Sequence, residues 1–282
     1  MKSSYYKYFA ALLLFGSNGI VASNINLPSY EIVLLRLLLG SLFLIAVFMA
    51  SGQKFTFYRN KHTCLYLFIS ASAMGASWML LYEAYHQVGV SIASLAYYCG
   101  PVIVMILSPF LFRETLTWPK IAGFLTVLAG MCLVNLQALD EGKTIWGLFC
   151  GLMSAFMYAL MVTANKKAKP ESGLENSLLQ LVIGSFIVVA FVSMQKNFVL
   201  SLTTIDWIPV LLLGLLNTGI GCYLYFSSIT DLPVQTVAIC GYLEPLSAIV
   251  FSVLFLHEIL LPLQMLFVCT IILLSFILTA VT

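Results

Sequence analysis

Charge is what this sequence lacks. Only 9% of its 282 residues are Asp, Glu, Lys or Arg, while 61% are hydrophobic. A soluble domain averages about 25% charged and about 45–50% apolar residues. So little charge cannot cover a water-facing surface, which excludes a soluble protein and makes lipid the solvent. The formal net charge of +2 offers no basic patch for nucleic acid. Metal and redox chemistry are no better served. Cys64, Cys99, Cys132, Cys150, Cys222, Cys240 and Cys269 lie in or beside apolar runs with no CxxC pair. That is the pattern of small buried hydrophobes, not of a disulfide framework or metal site. His62, His86 and His257 are scattered, and "HE" at 257–258 lacks the second histidine of a zinc-protease helix. No GxxxxGKS/T loop occurs, so ATP chemistry and cofactors are not indicated.

What is there is long apolar runs. A membrane-crossing helix needs roughly 20 mainly apolar residues. Reading for such runs between polar or turn-forming breaks predicts ten spans. They cover approximately 8–24, 30–50, 63–85, 91–112, 118–137, 145–165, 174–194, 207–229, 234–256 and 262–281. Lys2 and Lys7 before "YFAALLLFG" mimic a signal peptide, but the first run is expected to stay as a helix, because cleavage would spoil the symmetry below. Alternating the loops puts Lys2, Lys7, Lys54, Arg59, Lys61, Arg113, Lys120, Lys166, Lys167 and Lys169 on one side, against Lys143 and Lys196 on the other. The positive-inside rule then predicts a multi-pass protein of the cytoplasmic (plasma) membrane with both termini in the cytoplasm.

The halves repeat. "GASWMLLYEAYHQVGVSIASLAYYCGPVIVMILSPFLFRETL" (75–116) lies over "GIGCYLYFSSITDLPVQTVAICGYLEPLSAIVFSVLFLHEIL" (219–260) without a gap, at a constant offset of 144. Eight of 42 positions are identical, among them Tyr98 with Tyr242, Pro101 with Pro245 and Glu114 with Glu258. The expected fold is therefore an all-α membrane protein of two five-helix halves, 1–138 and 145–282. An odd helix number per half inverts the second. Inverted repeats mark secondary transporters, which rock packed units around a midplane site.

Ten spans in two halves, "FGSN" in the first span, Arg36 in the second and a Pro…Glu pair closing the fourth and ninth resemble the drug/metabolite transporter superfamily. "YLEP" with its later Glu looks like the ten-helix EamA-type branch, and the resemblance covers the whole chain. It implies alternating access for a small metabolite such as an amino acid, amine, sugar or nucleotide derivative, often outward and often proton-driven. "YYCGP" departs from the loose family pattern and suggests a subgroup. A channel or scaffold is the alternative. An intramembrane enzyme would need converging acid, nucleophile or metal-ligand groups, which the sequence disperses.

Several residues could carry transport. Pro101 and Pro245 lie near mid-span, where a missing N–H would release the carbonyls of Tyr97 and Gly241 toward a cavity, unless they are packing kinks. Glu244 stands in the ninth span. Intramembrane acids normally face an interior, so it could carry the coupling proton, meet a cationic cargo or simply bind helices together. Trp78, Tyr82 and Tyr85 share a helix face, and Tyr97, Tyr98, Tyr242, Tyr223 and Tyr225 add aromatics nearby. A cage for an amine or aromatic cargo is one reading; packing and interfacial belt is the other. Asn18 and Asn217 could touch cargo or bond helix to helix. Arg36 is expected to pair with Glu83, with snorkelling or cargo contact as alternatives. Glu114 and Glu258 are expected to cap the helices that follow them, or to gate. Gly16, Ser17, Gly19, Gly214, Gly219 and Gly221 suit close helix approach. Ten helices can enclose a cavity in a monomer or a weak homo-oligomer.

Overall fold

The computed structural model describes residues 2–115, 117–118, 121, 125, 145–194 and 207–256. The fifth and tenth expected spans and Glu258 lie outside those residues, apart from isolated positions in 118–137. The described residues are helical, with no strand among them. They form α1 (Lys2–Gly16), α2 (Asn18–Ser23), α3 (Ser29–Ala50), α4 (Lys61–Tyr97), α5 (Gly100–Phe112), α6 (Ile145–Ala168) and α7 (Gly173–Ser193). After these come α8 (Trp207–Leu211), a π-helical stretch (Leu212–Ile220), α9 (Gly221–Ile229), α10 (Val234–Cys240) and α11 (Leu243–Leu256). Six segments among the described residues are long and apolar enough to cross a membrane. This is a multi-pass membrane protein.

The surface and interior carry the pattern that lipid selects. Leu42, Phe68, Phe110, Phe149, Phe186 and Leu254 are exposed. Inside, polar side chains hold helix to helix. Ser77 Oγ donates to the Ser154 carbonyl (2.9 Å) and Ser154 Oγ to the Ser77 carbonyl (2.7 Å), tying α4 to α6. Gln180 Nε2 donates to Ser70 Oγ (2.9 Å), tying α7 to α4. Small polar residues serve this role because lipid gives helices no hydrophobic reason to associate.

Local chemistry sets the boundaries. Asn60 caps α4 by accepting from the His62 N–H (2.9 Å), and Ser172 caps α7 at the Glu175 N–H. Within α4 the chain turns at Gly89, whose φ of +79° suits a residue without a Cβ. Three of the expected spans are interrupted within their length: the first at Ser17, the fourth at Tyr98–Cys99 and the ninth at Gly241–Tyr242. The last two breaks stand at nearly the offset that relates the sequence halves. α1 packs on α9 and α11, α5 on α6 and α10, and α3 on α7 and the π-helical stretch.

One end of the bundle is basic and knitted together. Lys166 Nζ donates to the carbonyls of Thr230 and Leu232. Ser4 Oγ donates to Asp231 (2.8 Å), and Ser172 Oγ to Gln53 (2.8 Å). The Glu175 carboxylate accepts from the N–H and hydroxyl of Thr56 and from the Phe57 N–H. The loops bearing Lys54, Arg59, Arg113, Lys167 and Lys169 therefore meet at this end.

Close approach explains some of the small residues. A Cβ on Gly16 would collide with the Ser247 hydroxyl and approach the Glu244 carbonyl to 2.9 Å. Gly19 has nothing within 4 Å, so its expected packing role is not seen. Gly16→Leu should destabilise the protein by about 1–3 kcal/mol, the usual cost of overpacking, while Gly19→Leu should be near neutral. Thermal midpoints in detergent check the contrast; equal losses would contradict it.

Candidate functional site

The two helix breaks meet. Tyr242 Oη, in the ninth span, donates to the Tyr98 carbonyl in the fourth (2.9 Å). Each break is followed by a new helix with proline in its first turn: Pro101 is the second residue of α5 and Pro245 the third of α11. This corrects the mid-helix reading of both prolines. Proline is well placed where first-turn N–H groups have no helical acceptor. The Gly241 carbonyl is not released either, since it accepts from the Glu244 N–H (3.2 Å). Both prolines are buried and face protein.

Glu244 thus starts a half-helix, where the backbone dipole favours a carboxylate. It is surrounded by protein yet keeps accessible surface. Tyr97, Tyr98 and Tyr158 share that condition and lie within electrostatic range of it. Side chains enclosed by protein yet still accessible are candidates to line a central hollow. Among the described residues no hydrogen bond reaches the Glu244 carboxyl. Only Ser41 and Ser72, among the described residues, seal in an unpartnered polar side-chain atom.

Arg36 approaches from α3. Its Nε donates to Thr218 Oγ1 (2.9 Å), and its guanidinium lies 4.6 Å from the Trp78 ring centroid. Among the described residues it forms no ion pair, so the expected bridge to Glu83 is not made. Glu83 instead accepts from Gln87 Nε2 (3.0 Å), one turn along its own helix. The reason lies in packing: a Cβ on Gly40 would come within 3.0 Å of Thr218, so α3 sits hard against the π-helical stretch and Arg36 finds its hydroxyl. Arg36 is in electrostatic range of Glu244 but not bonded to it. Arg36 and Glu244 are thus ionisable groups of opposite type that do not touch.

Aromatic rings fill the wall. Tyr97 contacts Tyr98 and Tyr158 at centroid distances of 5.7 and 5.6 Å, and Tyr82 meets Tyr85 at 5.2 Å. Tyr158 Oη lies 3.4 Å from Tyr225 Oη, and Tyr225 packs on Tyr8 at 5.6 Å. Asn217 Nδ2 donates to the Leu14 carbonyl, Ser17 Oγ and Asn18 Oδ1, all at 2.9 Å, so the two asparagines bracket the break in the first span. A separate cleft of about 290 Å³ lies at the basic end beside Thr56, His62, Lys167 and Glu175, away from Glu244.

The sequence pattern of one family, described as "EamA-like transporter family", matches residues 3–136 and again 145–280. The chain belongs to this family. Similar EamA-like and related proteins include an uncharacterized transporter, YxxF, of Bacillus subtilis (strain 168). It is 28% identical over 256 residues, covering 88% of this chain and 80% of the relative. The threonine/homoserine exporter RhtA of Escherichia coli (strain K12) is 27% identical over 233 residues, 82% of this chain and 75% of its own. A biotin transporter of the same strain is 21% identical over 238 residues, 83% and 77% of the two chains. A solved crystal structure superposes with TM-score 0.81 at 18% identity, over 97% of this chain and 96% of its own. That likeness shows the fold alone.

Sequence reasoning missed some of what this EamA-like chain brings together. Tyr158, Tyr8 and Thr218 gave no signal, being ordinary residues of apolar helices. Glu175 did leave one: it pairs with Glu31 at the offset of 144. Glu114 was expected to cap the helix after it. That helix lies largely outside the described residues; the Glu114 carboxylate reaches the first N–H groups of the neighbouring α10, Val234 (2.7 Å) and Gln235 (2.9 Å).

Proposed function

We propose that this chain is a secondary active transporter that moves a small zwitterionic metabolite, of the amino-acid kind, by alternating access. The observation that carries the reading is the pair of enclosed, unbridged charges. Arg36 comes from the first sequence half and Glu244 from the second, with tyrosines and Trp78 between and around them. A guanidinium with open donors suits a cargo carboxylate, a carboxylate suits its ammonium, and the rings suit an apolar body. A net-neutral cargo that satisfies both charges at once lowers the cost of keeping them in a low-dielectric interior.

Two family matches, one per half, and matching breaks in the fourth and ninth spans support a ten-helix body of two inverted halves. The unequal distribution of Lys and Arg supports a plasma-membrane protein with both termini cytoplasmic, which makes the basic end the cytoplasmic one. Glu244 can hold a proton or a cargo ammonium but not both. That exclusion couples proton entry to cargo exit, and the exporter named among the relatives supports the same direction. Tyr82, Tyr97 and Tyr98 are the contact residues, whereas Tyr242, expected from the sequence to join them, is buried and braces the two breaks; a monomer suffices.

Thermal shift of the purified protein tests the cargo class. Zwitterionic amino acids should raise the midpoint, and simple amines and simple carboxylates should not. The shift should vanish in Arg36→Ala. An amine that stabilises wild type and Arg36→Ala equally would contradict a two-charge site.

A further inference from the structure

We propose that Glu114 is the latch of the gate at the basic end. The inference rests on the alternating-access reading above.

α10 (Val234–Cys240) is the half-helix between the hollow and the basic end. Its start is held by Glu114, which takes the Val234 and Gln235 N–H groups with separate oxygens. Its middle is held where Tyr8 Oη donates to the Val237 carbonyl (2.7 Å). Just beyond its end, Tyr242 donates to the Tyr98 carbonyl. Gln235 Nε2 adds a bond to Ser108 Oγ in α5 (2.9 Å). Opening the hollow toward the basic end requires α10 to part from α5, which breaks the links of Glu114, Gln235 and Tyr242 together.

The chemistry suits a latch better than a fixed staple. First-turn N–H groups have no helical acceptor, so a carboxylate across them makes two charge-assisted bonds. Glu114 is half-buried at the end of the bundle, so water can replace either partner when they separate. A buried pair would be too costly to open and close in each cycle. Lys166, bonded to the Thr230 and Leu232 carbonyls and in range of the Glu114 and Asp231 carboxylates, fixes the loop that leads into α10.

A cysteine-free protein carrying Tyr97→Cys, labelled with a membrane-impermeant maleimide in vesicles of each orientation, tests this. Glu114→Gln should raise labelling from the basic end about tenfold, the ratio that 1.4 kcal/mol sets. Ser108→Ala, a milder change to the same contact, should shift labelling in the direction of Glu114→Gln. If wild-type labelling alternates between ends but Glu114→Gln leaves labelling from the basic end unchanged or lowers it, the latch is overturned alone. Wild-type labelling from both ends at once would overturn the transport reading and the latch with it.

Discussion

Glu244→Gln is expected to abolish accumulation driven by a pH gradient while leaving a weakened exchange of cargo. One pH unit is worth 1.36 kcal/mol per proton, which sustains about a tenfold cargo ratio. Glutamine keeps the shape and a carbonyl acceptor for the ammonium but carries no proton, so the ratio should fall to about one. The charged and titratable groups around Glu244 bear on this expectation. Arg36 is the cation in range, and Tyr8, Tyr85, Tyr97, Tyr98 and Tyr158 are the phenols. The acid of this set is Glu244, so no neighbour described here can take over the proton. Uptake into proteoliposomes at fixed outer and varied inner pH reads the effect. Wild-type pH dependence in the glutamine variant would remove Glu244 as the coupling group.

The second large effect is expected at Arg36, from a change that keeps the charge. Arg36→Lys should weaken cargo binding about 10- to 100-fold, because hydrogen bonds to charged groups contribute about 1.5–3 kcal/mol. Arginine here does two things at once: its Nε is anchored on Thr218 and its plane lies by Trp78. That anchoring leaves the two terminal nitrogens as a fork for a carboxylate. Lysine has no fork, so the fixed pair of donors does not survive. Calorimetry with the stabilising amino acid gives the comparison. A lysine variant with wild-type affinity would mean that Arg36 supplies charge alone, or lies away from the cargo.

How much of this could be read beforehand depended on the kind of information required. Apolar length reports a crossing, so the expected span 30–50 became Ser29–Ala50, and 174–194 became Gly173–Ser193. "YLEPL" shows where such reading ends. Glu and Pro inside an apolar run looked like a charge and a kink in mid-helix; they are first-turn residues of a new helix, at positions suited to both. The signal was present, but an 18- to 20-residue hydropathy window averages across a two-residue break. Partner choice was less legible still. Arg36 bonds Thr218, 182 positions away, and nothing in periodicity distinguishes that hydroxyl from the carboxylate of Glu83. Glu114 shows the same limit: a cap was expected on the helix that follows it, and the helix start its carboxylate is seen to hold belongs to the neighbouring α10, far away in sequence.

Alternating access is tested most directly by counterflow in proteoliposomes, using the amino acid that stabilises the purified protein. A carrier whose single site faces one side at a time returns faster when loaded. Unlabelled cargo inside should therefore accelerate the entry of labelled cargo, and the rate should saturate with outside concentration. Entry that rises linearly with concentration and ignores the internal pool would contradict a carrier and indicate an open pore.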